Sequence, residues 1–380
     1  MRFTLLTVLA LVAVLTSTVS AARPKWHELD GYTFDRYVSD FKKPYAPHSK
    51  EYAQRKELFD AKLAQVRAHN ADASKPWRAG VNHMSDYTRE ELTHMNGGRL
   101  RENWNVRKQL RSKPYVKKHQ VAVNSIPLPR QVDYRLSIPS ILSAIKDQGM
   151  CGSCWAHGST ETVESYAAMA TGDLFALSQQ QVTACAPNPN DCGGTGGCGG
   201  SIIELAWDYL IQAGGIAQEW TYPYTAYAGT TGTCAPSITP VVSLTGYTAV
   251  TSNQQHDVVD ALARAGPLAI NVDASNWGMY ESGVFTGCDY SKNITIDHVV
   301  QLVGYGTDSD SGLDYWIVRN SWSPAWGEHG FIRLLKTSQP ECGWDVQPQQ
   351  GTGCNGGPAQ LWTCGMCGIL FDTLYPTIKV

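Results

Sequence analysis

Charge is scarce in this chain. Only 17% of its 380 residues are Asp, Glu, Lys or Arg, against roughly 25% in an ordinary soluble domain. Mean hydropathy is −0.26, so neither a disordered chain nor a polytopic membrane protein fits. Long apolar runs are missing too. The run from Leu5 to Leu15 falls short of the ~20 residues that span a bilayer, and no other segment comes close. An excess of one charge sign is also lacking, since the formal net charge is −3, which argues against a nucleic-acid binder. That near-neutrality hides a division, however. Residues 1–21 carry +1, residues 22–127 carry +9 and residues 128–380 carry −13. The length suits one large domain or two modest ones.

Arg2, the apolar run and the small residues Val19-Ser20-Ala21 make residues 1–21 read as a cleaved secretory signal. An uncleaved anchor is the alternative. The cysteines then meet an oxidising lumen. Asn293-Ile294-Thr295 is a glycosylation sequon and points to a surface loop.

Residues 26–72 have the apolar spacing of a helix. Phe34, Tyr37 and Phe41 recur at i, i+3, i+7, and Phe59, Leu63 and Val66 repeat that pattern. Glu51, Arg55 and Phe59 step by four along adjoining faces. The spaced set Glu51, Arg55, Phe59, Lys62, Val66 and Asn70 resembles the inhibitory prosegment of cathepsin L-like cysteine proteases. Lys62 stands where the family usually has Asn, and Val66 where it has Ile. Gly80-Val81-Asn82-His83-Met84-Ser85-Asp86 is similar to the second prosegment motif, with Met84 replacing an aromatic. The resemblance implies that the leader is an intramolecular inhibitor of the downstream domain. Arg99–Lys118 is polar and basic, an exposed linker open to cleavage.

Lys146 to Ala156 carries the chemistry. Cys151-x-x-Cys154 has a redox spacing, so a thiol–disulfide oxidoreductase is one reading. Trp155–Thr171 reads as a helix stopped by Gly172. Cys154 then lies at a helix N-terminus, where the dipole favours thiolate and lowers its pKa. Downstream, one His sits in the apolar stretch Ile296–Gly306, and Tyr315–Trp322 ends in Asn320-Ser321-Trp322; both read as strands. His298 lies 144 residues after Cys154 and Asn320 lies 166 after it.

With Cys151-Gly152-Ser153-Cys154-Trp155, these segments resemble papain-like cysteine proteases from about Leu128 onward. The resemblance makes Cys154 the nucleophile, His298 the base and then the acid, and Asn320 the residue orienting the imidazole. Trp322 shields that hydrogen bond. Gln148, with the Cys154 N–H, forms the oxyanion hole. His157 stands where the family has an aromatic, and is read as a partly exposed helix residue or a competing proton donor. Ser323-Pro324 replaces a glycine-bearing step.

Eleven cysteines leave ten once the nucleophile is set aside. The resemblance implies the pairs Cys151–Cys198, Cys185–Cys234 and Cys288–Cys367. Cys192, Cys342, Cys354 and Cys364 have three possible connectivities, and a zinc site on Cys364-x2-Cys367 stands beside them. Glu341–Trp362, rich in Gly, Pro and Gln, reads as an inserted loop stapled by those cysteines.

The expected fold is therefore α+β: a two-lobed papain-like fold with a helical lobe, a β-barrel-like lobe and the cleft between, preceded by a helical prosegment. Residues 1–21 are the signal peptide, 22–127 the inhibitory propeptide and 128–380 the mature protease. The resemblance implies an endopeptidase on extended polypeptides, with the residue two before the scissile bond in a main pocket. Ser201 borders the peptide, while Ile202, Ile203, Asn271 and Ile296 approach that pocket. Asp372 lies at its floor or points to solvent; a carboxylate at the floor admits Arg or Lys as well as apolar side chains. No cofactor or metal is implied. The partners expected are polypeptide substrates and the chain's own propeptide, with no nucleic acid, no membrane after signal removal, and a monomer. The expected destination is extracellular or a lysosome- or vacuole-like acidic compartment. There, protonation of carboxylates weakens the attraction between basic leader and acidic enzyme and triggers self-activation. A non-catalytic binding relative and the redox protein are the other readings.

Overall fold

The computed structural model describes residues 23–96, 105–121 and 127–379. The segment 1–21, expected to be a signal, and part of the basic linker lie outside them. The leader holds α1 (Phe34–Asp40), α2 (Lys50–Ala71), β1 (Trp77–Ala79), α3 (Arg89–Asn96), α4 (Asn105–Leu110) and β2 (Val116–Lys118). The single helix expected over 26–72 is thus two helices. Pro44 and Pro47 lie between them and lack the N–H a helix needs. Ser49 then starts α2 afresh, its hydroxyl accepting the Tyr52 N–H at 3.0 Å.

The apolar positions meet as their spacing requires. Phe34, Tyr37, Phe59, Leu63 and Val66 are buried together, with the Tyr37 and Phe59 rings 4.5 Å apart. Arg55 places its fork on Glu91, at 2.6 and 2.7 Å, and holds Glu51 only at 3.9 Å. Asn70 ties α2 to β1 by a reciprocal pair with the Ala79 carbonyl and N–H, 2.8 and 2.9 Å. Asp86 is buried and accepts hydrogen bonds from Tyr37 (2.9 Å), Tyr45 (2.7 Å) and the Lys43 ammonium (2.9 Å).

The rest of the chain begins with β3 (Val132–Asp133) and then α5 (Cys154–Thr171), α6 (Gln179–Cys185) and α7 (Ile203–Gln212), which build the helical lobe. The sheet lobe comes next: β4 (Ser243–Ala249), α8 (Gln255–Arg264), β5 (Leu268–Val272), β6 (Tyr280–Phe285), β7 (His298–Thr307), β8 (Asp314–Arg319) and β9 (Phe331–Leu335). The chain closes with the hairpin β10 (Cys342–Asp345) and β11 (Leu361–Cys364), then β12 (Asp372–Lys379). The main sheet runs β1-β6-β9-β8-β7-β5-β12-β4-β2, with β3 on β7. That path is open, so the sheet lobe is not a closed barrel. Both of its ends are leader strands: β1 pairs antiparallel with β6, and β2 pairs parallel with β4.

α5 is the central element. It stops at Gly172, whose φ of 81° is the left-handed cap expected of glycine. Its Gly158 faces β7, where a Cβ would stand 3.0 Å from Val299 Cγ1, so the strand after His298 lies directly on the helix. Gln301 of β7 donates to the Glu161 carbonyl at 3.2 Å and to Ser165 Oγ at 2.9 Å. Val163, Val182 and Leu210 fill the helical lobe, each worth about 1.5–3 kcal/mol of burial.

Candidate active site

The site forms at the seam of the lobes. Cys154 is the first residue of α5 and His298 the first of β7; Asn320 comes directly after β8. The Val299 N–H points at the Cys154 sulfur, which brings the two chain segments together. His298 Nε2 lies 2.9 Å from Asn320 Oδ1. The Asn320 oxygen also accepts the Ser321 N–H at 2.8 Å, so the amide is held from two sides. Trp322 covers the pair, its ring 4.9 Å from the imidazole.

Gln148 is buried. Its carboxamide oxygen accepts the Ser321 hydroxyl at 2.7 Å, which aims the Nε2 donor. That donor reaches the Cys151 carbonyl at 2.8 Å and the Met95 carbonyl of the leader at 2.7 Å. The leader also covers the thiol, since Cys154 Sγ donates to the Asn96 carbonyl at 3.4 Å. Asn96 Nδ2 in turn donates to Asp297 Oδ2 at 3.0 Å. Met95 and Asn96 thus lie across the seam as a plug.

This plug reverses the sequence expectation for the thiol. Burial pushes the Cys154 pKa up to about 12, against the opposing Val299 and Trp155 N–H groups. Burial also pushes His298 down to about 4, partly offset by its bond to Asn320. In the closed form the pair is neutral thiol and neutral imidazole. A helix N-terminus favours thiolate, but here water has been replaced by the leader.

His157 is another correction. It is 1% exposed, not partly exposed. Its Nδ1 lies 3.0 Å from the Ser153 carbonyl, its ring packs edge-on against Tyr224, and burial pushes its pKa to about 3. A ring held neutral in that way is no competing proton donor. Ser323 adopts φ 74°, the left-handed backbone that a glycine takes easily.

Five disulfides form: Cys151–Cys198, Cys185–Cys234, Cys192–Cys354, Cys288–Cys367 and Cys342–Cys364. Cys154 is the free thiol. Cys364 and Cys367 are therefore spent on separate bridges, which removes the zinc alternative. The inserted loop is a strap between lobes. Thr352 N donates to the Ile296 carbonyl at 2.7 Å, and the next residue accepts the Gly193 N–H at 2.8 Å. Gly193 sits so close to Ser201 that a Cβ would meet its carbonyl oxygen at 2.5 Å. The strap therefore crosses beside the expected peptide-binding strand.

The expected pocket residues separate. Asn271 donates to Asp372 Oδ2 at 2.7 Å, and Asp372 is 1% exposed, which excludes the solvent-facing reading. Ser201 is buried, and Ile203 packs in the helical-lobe core with Cys154 and Val299. Ile202 packs instead on Leu205 and the Cys192 and Cys354 sulfurs. Ile296 belongs to the sheet-lobe core. Sequence reasoning missed Asp297 and Ser321, which nothing but adjacency to His298 and Asn320 marked. Asn293 lies exposed, as a sequon requires.

A helical lobe and a sheet lobe meeting over a thiol, an imidazole and two amides, with a leader plugging the seam, define a cysteine peptidase in zymogen form. Residues 128–358 match the papain family cysteine protease model, and residues 34–92 match the cathepsin propeptide inhibitor domain. The chain is 32% identical over 348 residues to ananain of Ananas comosus, covering 91% of this chain and 87% of that one. It is 36% identical over 290 residues to vignain of Phaseolus vulgaris, covering 75% of each. Among solved structures it resembles a recombinant stem bromelain precursor, with TM-score 0.69, 29% identity and coverage of 91% and 98%. It also resembles digestive procathepsin L 3 of Tenebrio molitor larval midgut, with TM-score 0.69, 28% identity and coverage of 91% and 99%. The chain belongs to the papain family of cysteine proteases, and carries that family's propeptide inhibitor at its front.

Proposed function

We propose that residues 128–380 are the mature enzyme, an endopeptidase released from a signal at 1–21 and a propeptide at 22–127. Cys154 is its nucleophile, His298 its base and acid, Asn320 the orienting amide and Gln148 the oxyanion donor. What carries this reading is the Met95 carbonyl on Gln148 Nε2, 2.7 Å away, beside the thiol. A scissile carbonyl placed there would have its carbon at the sulfur and its oxygen at a preorganised donor.

Once the plug leaves and water returns, the thiol passes its proton to His298. The sulfur then bonds the carbonyl carbon, and the developing charge moves onto the oxygen held by Gln148. As the C–N bond breaks, the imidazolium gives its proton to the departing amine. Water, deprotonated by the same imidazole, then attacks the thioester and releases the acid and the free thiol. Asn320 holds the ring through both transfers without a charge that would claim its proton.

The trigger we propose is acid, in a secreted or vacuole-like compartment reached as a monomer without membrane or nucleic-acid partners. Among the described residues no helix is long and apolar enough to cross a membrane. The carboxylates divide. Against its burial, Glu91 is held down by Arg55 and the Thr88 N–H, so it loses its ion pair on protonation and favours opening, whereas two enzyme carboxylates work the other way. Burial raises Asp208 and Glu281, opposed by Lys113 and Arg23 of the leader, so protonating them favours the closed form. Histidines act in the required sense. His83 in the second leader motif and His298 are both pushed by burial down to about 4 from 6.5. Their contribution to closure is complete above pH 6.5 and is lost as pH falls toward 4.

The test is stoichiometric labelling of Cys154 by a thiol-directed, peptide-like inhibitor after acid treatment, together with peptide-bond cleavage. An activated chain that neither takes the label nor cleaves a peptide would sink the reading.

A further inference from the structure

Behind the loop that carries Gln148, a chain of hydrogen bonds joins three side chains that the mechanism above does not use. Ser153 is the N-cap of α5, yet its hydroxyl caps no helix N–H, the ordinary task of a serine there. It lies instead 2.7 Å from the Tyr224 hydroxyl and 3.3 Å from His157 Nδ1. Tyr224 in turn donates to the Gln148 carbonyl at 2.9 Å. The Tyr227 carbonyl accepts the Met150 N–H at 2.8 Å, so the same stretch braces the loop at a second point. Ser153 and His157 are 0% and 1% exposed, which shields these bonds from water.

Two carbonyls, which can only accept, set the direction of the whole chain. His157 Nδ1 faces the Ser153 carbonyl at 3.0 Å, so that nitrogen carries the hydrogen and shares it with Ser153 Oγ. The Tyr224 hydrogen goes to the Gln148 carbonyl, so the Ser153 hydroxyl gives its own to the Tyr224 oxygen. Donation therefore runs from His157 through Ser153 and Tyr224 to Gln148. Both ends of this chain belong to the oxyanion hole. Gln148 carries its side-chain donor, and the Ser153 carbonyl shares one planar peptide with the Cys154 N–H. We propose that Tyr224, Ser153 and His157 are positioning residues that lock the two oxyanion donors to one another. The proposal rests on the reading of Gln148 and the Cys154 N–H as those donors. Donors held rigid before charge develops need no reorganisation when it does. The imidazole at 157 then has a reason to stand where relatives carry an aromatic. A phenyl ring keeps the edge-on packing against Tyr224 but cannot donate, and leaves the Ser153 hydroxyl free to turn.

The test uses the acid-activated full chain, with active sites counted by Cys154 labelling. Tyr224→Phe removes one oxygen and keeps the ring. It is expected to lower kcat about five- to tenfold. KM should stay within about twofold of wild type, since the oxyanion forms only in the transition state. Alkylation of Cys154 by a small haloacetamide should keep its wild-type rate. There the sulfur displaces halide at a methylene carbon, and no oxyanion develops. His157→Phe should show the same pattern with a loss of about threefold in kcat. In a Gln148→Ala background the Tyr224→Phe penalty should shrink to about twofold or less, because one of the two donors it joins is gone. An unchanged kcat in Tyr224→Phe overturns the inference. So do equal losses in kcat and alkylation, or penalties fully additive with Gln148→Ala, which mark a merely structural role. If Tyr224→Phe does not fold, His157→Phe decides by the same readouts. Should Gln148→Ala itself keep kcat within about threefold of wild type, the oxyanion reading fails and this inference with it. A crippled Gln148→Ala beside a fully active Tyr224→Phe removes the inference alone.

Discussion

Asp86→Ala tests how the leader is kept in its inhibitory shape. The Asp86 carboxylate is fully buried and binds the hydroxyls of Tyr37 and Tyr45 and the ammonium of Lys43, at 2.7–2.9 Å. Lys43 itself is nearly buried and lies over the Tyr87 ring. Removing the carboxylate strands that ammonium and both hydroxyls inside the leader. Breaking a buried ion pair from one side costs about 3–5 kcal/mol, equivalent to a factor of roughly 10² to 10³·⁵ in the closed population. The motif that contains Asp86 also grips the enzyme, since Asn82 Nδ2 donates to the Gly278 carbonyl at 2.7 Å. Its loss should therefore loosen Met95 and Asn96 over the thiol. The assay is the rate of Cys154 labelling in the full-length zymogen at pH 7. The substituted zymogen should label at least a hundredfold faster than wild type, with Asp86→Asn between. If it labels at the wild-type rate while its thermal transition is unchanged, the carboxylate does not hold the leader closed and the reasoning fails.

Gln148→Ala should cut kcat by about 10²–10³ while a small alkylating reagent still modifies Cys154; a loss below threefold would remove Gln148 from the oxyanion role. Activation should accelerate as pH drops from 6.5 toward 4, tracking His83 and His298, both depressed to about 4. Asp297, raised by burial and by Asp273, opposes this, so Asp297→Asn should steepen the acid response. Equal release rates at pH 7 and 4.5, at matched ionic strength, would refute the trigger. Replacing Cys192 and Cys354 together by Ala removes the covalent tie between the strap and the helical lobe, leaving the hydrogen bonds of Gly353 and Asn355. Relative cleavage should then shift toward peptides with more residues ahead of the scissile bond, and an unchanged length profile would show that the strap does not limit the cleft.

Much of this site is legible because its elements are local. A cysteine before a helical run ending in glycine places Cys154 at the start of α5, and β-branched stretches around His298 and Asn320 mark their strands. The leader's aromatic spacing foretells the buried set Phe34, Tyr37 and Phe59, although two prolines divide the helix it suggests. What is not legible depends on contacts across long separations. The protonation of Cys154 depends on Asn96, 58 residues earlier. The ion pairs of Arg111 with Glu204 and Asp372 close over 93 and 261 residues. The pairing of Cys192 with Cys354 spans 162 residues, and no local pattern selects it over the alternatives.

The two leader strands have a consequence beyond inhibition. β1 and β2 occupy opposite ends of the main sheet, so the zymogen presents neither β6 nor β4 as a bare edge. Unpaired strand edges are templates for pairing with another chain. The leader thus acts as a pair of bumpers for as long as it stays attached. Proteolysis that awakens the enzyme also strips both bumpers, leaving the backbone donors and acceptors of Tyr280–Gly283 and Tyr247–Ala249 open on those sides. The cut that creates activity therefore also creates two strand edges open to another chain.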